Sequence, residues 1–198
     1  MTDRVFRWLM PALLLGAACS NPPAGRQAAG SIPDSTVLRQ GKEAASAVFA
    51  ALSGRLQQSL QAEGAAGAIR YCNLAALPLT DSIAAQYGCA VRRTSLRVRN
   101  PLNAPDSSER AQLERYALQL RDSLPLAPAV ARLPGGEVRW YGPIFTADLC
   151  LKCHGQPGST LLPEVPPLLS ELYPEDRAAG YQAGEWRGMW SIAFSRQP

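Results

Sequence analysis

Apolar residues recur at helical intervals from Leu38 onward, and Leu38, Ala45, Val48, Phe49, Leu52, Leu56 and Leu60 predict one long amphipathic helix. Asp34 or Ser35 is placed to cap its start and Gly64 to end it. A second helical stretch puts Ile69, Cys72 and Ala76 on one face; Pro78 is expected to kink or break it, and Thr80 to recap a short continuation up to Gly88. The period then shortens. Residues 90–99 alternate Thr94, Leu96 and Val98 against Arg93, Ser95, Arg97 and Arg99, the pattern of a strand with one buried face, ended by Asn100-Pro101. Asp106, with Glu109 three residues on, forms a capping-box start for a helix expected to bury Leu113, Tyr116, Ala117 and Leu120. Residues 129–133 and 137–141 flank Pro134-Gly135-Gly136 as a hairpin, and Trp186, Gly188, Trp190, Ile192 and Phe194 alternate along a final strand. Helices first and strands mostly later predict an α+β fold with an antiparallel sheet.

The first residues carry a different signal. Residues 1–7 are net positive and residues 8–18 form an apolar run too short to span a bilayer, so residues 1–18 read as an export signal. Gly16, Ala17 and Ala18 run into Cys19 as in a bacterial lipobox, although Leu15 lies one place further from the cysteine than usual. Lipidation of Cys19 and ordinary cleavage near Ala18 are the two readings, and the first is adopted. Residues 19–35, with Pro22, Pro23, Gly25, Gly30 and Pro33, read as a flexible tether, leaving residues 36–198 as the folded domain. The expected location is the periplasmic side of a bacterial membrane, with the chain held there by its lipid anchor.

Composition narrows the chemistry. The 198 residues are 46% hydrophobic and 18% charged, which suits one globular domain, and a net charge of +4 is too mild to argue for nucleic acid. A single His excludes a two-His zinc protease motif, bis-His haem or any multi-His metal site. That His ends Cys150-Leu151-Lys152-Cys153-His154, a C-x-x-C-H attachment site for one covalent haem c. Two thiols three positions apart can add across the two vinyl groups of the ring, and the adjacent imidazole then lies under the iron as its proximal ligand. A zinc site combining Cys150, Cys153 and His154 with Cys72 or Cys89 is an alternative, but it gives no reason for His at the adjacent position. A redox disulfide between Cys150 and Cys153 lacks the expected thioredoxin-like surroundings, and a structural one would be strained.

The other face of the iron needs a different donor. Met189, Cys72 and Cys89 are the soft ones, and Lys42 and Lys152 the only lysines. Met189 falls on the far side of the final strand, where ordinary packing accounts for it. Cys72 points to the core, and residues alone leave it divided between a thiolate ligand and a disulfide with Cys89. The arginines Arg92, Arg93, Arg97 and Arg99 suit haem propionates but equally form a solvated strand face. For Asp176 and Arg177 local capping is the preferred role.

Four segments in order, Ala68-Ile69-Arg70-Tyr71-Cys72-Asn73, the run from Arg93 to Asp106, Cys150-Leu151-Lys152-Cys153-His154-Gly155 and the run from Tyr173 to Gly188, resemble the Tll-like c-type haem domain family, formerly a domain of unknown function. The resemblance spans about residues 36–195. It implies a PAS-like antiparallel sheet flanked by helices, a single haem c on Cys150 and Cys153, and axial ligation by His154 and Cys72. It also implies a redox or gas sensor or an electron carrier; the reading adopted is a redox or small-gas sensor component, whose iron could bind carbon monoxide or nitric oxide, with a redox or signalling protein as partner. A simple periplasmic electron-transfer cytochrome c is the alternative; a carrier should keep both ligands in both oxidation states, a sensor should release one. No paired carboxylates, nucleophile and base set or phosphate loop stands out, so no enzyme is expected.

Overall fold

The computed structural model describes residues 32–194; the leader, Cys19 and the tether up to residue 31 lie outside the described residues. Helix α1 (Asp34–Leu74) runs on past the predicted stop, but Gly64, at φ 66°, breaks its geometry into two limbs. Its N-cap is Pro33 and not Asp34 or Ser35, and Asp34 in the first turn pairs with Arg132 at 2.5 Å. The interruption expected at Pro78 falls at Ala75. Helix α2 (Ala76–Gln86) therefore holds Pro78 in its first turn, where the missing N–H costs no hydrogen bond. Thr80 is buried mid-turn and donates back to the Ala76 carbonyl at 2.7 Å instead of capping.

Four antiparallel strands, β1 (Cys89–Thr94), β2 (Ala129–Arg132), β3 (Val138–Phe145) and β4 (Trp186–Phe194), form one sheet in the order β1-β4-β3-β2. With the long first helix and helices on both faces, this is the PAS-like α+β arrangement. On one face Val37, Val48 and Leu52 of α1 and Ala84 of α2 pack on Val91, Trp140, Ile192 and Phe194. The approach is close: a Cβ on Gly41 would lie 2.3 Å from Trp140 Cγ. On the opposite face α3 (Ser107–Arg121) sets Leu113 and Tyr116 against Tyr141 and Met189. Its capping box forms as predicted, although Leu120 is exposed and not buried. A third cluster joins Ala65 and Ile69, beyond the kink, to Val165 and Leu169 of α5 (Val165–Leu172) and to Tyr173.

Two strand expectations change. β1 ends at Thr94 and not at residue 99: Ser95 donates across to Arg187 O at 2.7 Å, and Leu96 is exposed in the loop that follows. In β4 the register with β3 slips, Ile144 facing Gly188 but Phe145 facing Trp186, so Arg187 is an extra residue. The slip reverses the facing of what precedes it. Trp186 turns to the α3 side, edge-on to Tyr116 at 6.2 Å, and leaves the face of Trp190. Among the described residues no helix is long and apolar enough to cross a membrane.

Candidate functional site

Helix α4 (Asp148–His154) carries the C-x-x-C-H sequence on two turns. Positions separated by three and four residues share a helix face, so Cys150, Cys153 and His154 all line one cavity of about 290 Å³. The opposite wall comes from α1 and includes Leu52, Ile69 and Cys72; the sheet contributes Arg93, Ile144 and Trp190. The lining is mainly apolar and contains no aspartate or glutamate among the described residues.

The end of α4 is fastened carbonyl by carbonyl, the groups that a helix terminus leaves without partners. Leu162 N donates to Lys152 O at 3.1 Å, Tyr181 N to His154 O at 2.9 Å and Gly180 N to Gly155 O at 2.8 Å. Arg99 Nη2 takes Cys153 O at 2.7 Å. The same guanidinium forms a two-pronged pair with Asp176, Nε to Oδ1 and Nη2 to Oδ2 both at 3.1 Å, with the two side chains only 13% and 10% exposed. Asp176 Oδ1 in turn accepts from Ala178 N at 2.8 Å, and the Ala178 carbonyl lies 2.6 Å from His154 Nδ1. A carbonyl only accepts, so Nδ1 carries the proton and Nε2 keeps its lone pair. Burial, joined by the nearby Arg99 and Arg187 charges, pushes the His154 pKa well below its ordinary value, so the imidazole is neutral. A neutral, oriented imidazole is what a metal ligand requires.

Cys72 stands on the limb of α1 between the Gly64 kink and Ala75. Burial raises its thiol pKa, with Arg93 and Arg99 pulling the other way. Cys72 and Cys89 are both free thiols, which answers the disulfide alternative; Cys89 packs near the α2–sheet core, its sulfur directed to Ala84 O at 3.6 Å, and does not line the cavity. Met189 is fully buried behind the sheet with Leu113 and Tyr116, as its packing role predicts, and Lys42 is on the surface. The zinc alternative finds no support, because among the described residues no three His, Cys, Asp or Glu side chains converge on one point.

The arginines divide. Arg92 faces α3, 3.3 Å from Glu109, and Arg97 holds the Arg177 and Ala179 carbonyls while lying 4.1 Å from the Tyr181 ring centre. Only Arg93 and Arg99 of the four expected residues line the cavity. Arg187, which the alternating pattern of β4 placed on the far face, lines it too. Asp176 does more than cap locally, and no pattern of residue types signals a contact made through a backbone carbonyl.

The family model for Tll0287-like proteins matches residues 31–195. The chain belongs to the Tll0287-like family. One solved structure shares the fold, described as the crystal structure of the cyanobacterial heme-protein Tll0287; it is 23% identical, with a TM-score of 0.61, over 85% of this chain and 100% of that chain. No curated protein matches. In this Tll0287-like chain the segments 93–106 and 173–188 are joined by Arg177 N to Val98 O at 2.9 Å, and each also holds α4, through Arg99 to Cys153 O and Tyr181 N to His154 O.

Proposed function

We propose that the protein holds one covalent haem c and acts as a redox or small-gas sensor component on the periplasmic side of a bacterial membrane, not as an enzyme. One observation carries the reading: Cys150, Cys153 and His154 enter a single apolar, cationic cavity whose facing wall bears Cys72. Family membership and the description of the related structure as a heme-protein support it.

The residues fit the group. Cys150 and Cys153 would hold it covalently, each thiol adding sulfur to one carbon of a vinyl group and hydrogen to the other, so no oxidant would be needed. His154, its ring held by Ala178, would hold the iron through Nε2, and Cys72 would hold it through sulfur. When bound, haem supplies an iron that changes oxidation state and takes diatomic gases. The limb carrying Cys72 packs on α5 and is interrupted at both Gly64 and Ala75. That segmentation favours a sensor over a carrier, because Cys72 can leave with its limb while His154 stays fastened. Attachment by a lipid on Cys19 would keep the domain at the membrane beside a signalling or redox partner.

The test is expression with export and c-type maturation. The purified protein should stay red after denaturation, and its mass should exceed the polypeptide by one haem. A colourless protein with stoichiometric zinc would overturn the reading.

A further inference from the structure

Three arginines line the cavity, and only one has an acidic partner. Arg99 is paired with Asp176, whereas among the described residues Arg93 and Arg187 have no carboxylate within ion-pair distance. Arg93 lies on β1 opposite Trp190, with its guanidinium carbon 6.0 Å from that ring centre. The β4 bulge brings Arg187 to the same face, 5.2 Å from the Tyr181 ring centre, with one contact spent on Arg97 O at 3.0 Å. Each guanidinium has five N–H donors, so both retain several that no protein acceptor takes up.

Two partly buried cations in an apolar cavity without an acidic side chain are costly unless an anion completes them. Water alone would satisfy them at a surface, but both guanidinium groups are largely withdrawn from water here, and that desolvation lowers the pKa of each. The planar fork of arginine matches carboxylate in particular.

We propose that Arg93 and Arg187 form a carboxylate-binding subsite on the sheet side of the cavity, selecting a ligand with an apolar body and two acidic groups. Resting on the haem reading above, these groups are the two propionates. The bulge in β4 then has a role: a regular strand would turn Arg187 away to the α3 side and leave one cation where two carboxylates need partners.

The full-length exported holoprotein is compared with Arg93→Gln, Arg187→Gln and, as control on the opposite face of β1, Arg92→Gln. Resonance Raman propionate bending bands and the reduction potential are read on each. In the two cavity variants the bands should shift and the potential fall, since removing a nearby cation favours ferric iron, while the haem mass stays attached. Arg92→Gln should keep the bands of the parent. The two substitutions lie on different strands, so failure of one to accumulate leaves the other as a test. Bands and potential unchanged in a cavity variant that carries its haem would overturn the subsite and leave the haem reading intact. A parent protein without covalent haem would overturn both.

Discussion

His154 Nδ1 donates to the Ala178 carbonyl at 2.6 Å, and the peptide N–H of that same Ala178 is held by Asp176. The only His of the chain is thus oriented through one residue whose two backbone groups are both committed. Arg99 closes the arrangement by taking Asp176 with two prongs and Cys153 O with a third contact, so one guanidinium ties α4 to the loop that aims the imidazole.

Removing Asp176 leaves Arg99 partly buried without its anion. Breaking such a pair from one side costs about 3 kcal/mol. Asp176→Ala should show that loss in urea unfolding at pH 7, and Arg99→Lys, which keeps charge but not the fork, should lose less. Equal stability of Asp176→Ala and the parent would mean the pair holds nothing together.

The C-x-x-C-H sequence, the long first helix, its break at Gly64 and the capped helix α3 were all legible, because each rests on local spacing or a local side chain. The orientation of Arg187 was not. It depends on where β3 and β4 slip in register, a property of two strands together, and simple alternation therefore put Trp186 on the wrong face. β1 was overestimated for a related reason: residues 95–99 alternate like a strand, yet Ser95 spends its side chain on the carbonyl of the bulge residue Arg187, and Arg97 and Arg99 spend theirs on the loop carbonyls of Arg177 and Ala178.

The bulge can be tested directly. A Cβ on Gly188 would lie 2.3 Å from Thr94 O, a backbone atom that cannot step aside without parting β1 from β4. Gly188→Ala should cost roughly 2 kcal/mol by overpacking. Thermal unfolding checks the magnitude, and a change in Trp fluorescence would report the displaced Trp186 and Trp190 beside it.

Acid should weaken the cap of α3. Partial burial alone would raise the Asp106 pKa, but hydrogen bonds from Glu109 N at 2.8 Å, Arg139 Nη1 at 2.5 Å and Ser108 Oγ at 2.9 Å outweigh it and hold the carboxyl at about 2. A folded value below the ordinary 3.8 means that the ionised group stabilises the fold at neutral pH and that this contribution is lost as pH falls from 3.8 through about 2. Asp106→Ala should cost about 1 kcal/mol at pH 7, with the gap to the parent closing over that acid range. Urea midpoints at the two ends of the range decide it; a gap independent of pH would mean that the charge of Asp106 plays no part.

The two remaining thiols should behave differently although both are free. Cys72 lines the cavity opposite α4, and Cys89 is outside it, at the start of β1 beside Ala84. On the proposed function, Cys72→Ala should keep the covalent haem but lose the thiolate spectrum of the ferric protein, because attachment depends on Cys150 and Cys153 alone. Its ferrous form should bind carbon monoxide faster than the parent, since no sulfur has to leave first. Cys89→Ala should match the parent in both measurements. The side chain at Cys89 is small and half-buried, so its loss should cost only about 1 kcal/mol. If Cys72→Ala keeps the parent spectrum and gas-binding rate, Cys72 is a cavity-lining residue and not a ligand. The limb between Gly64 and Ala75 would then have no coordinate bond through which to sense the iron.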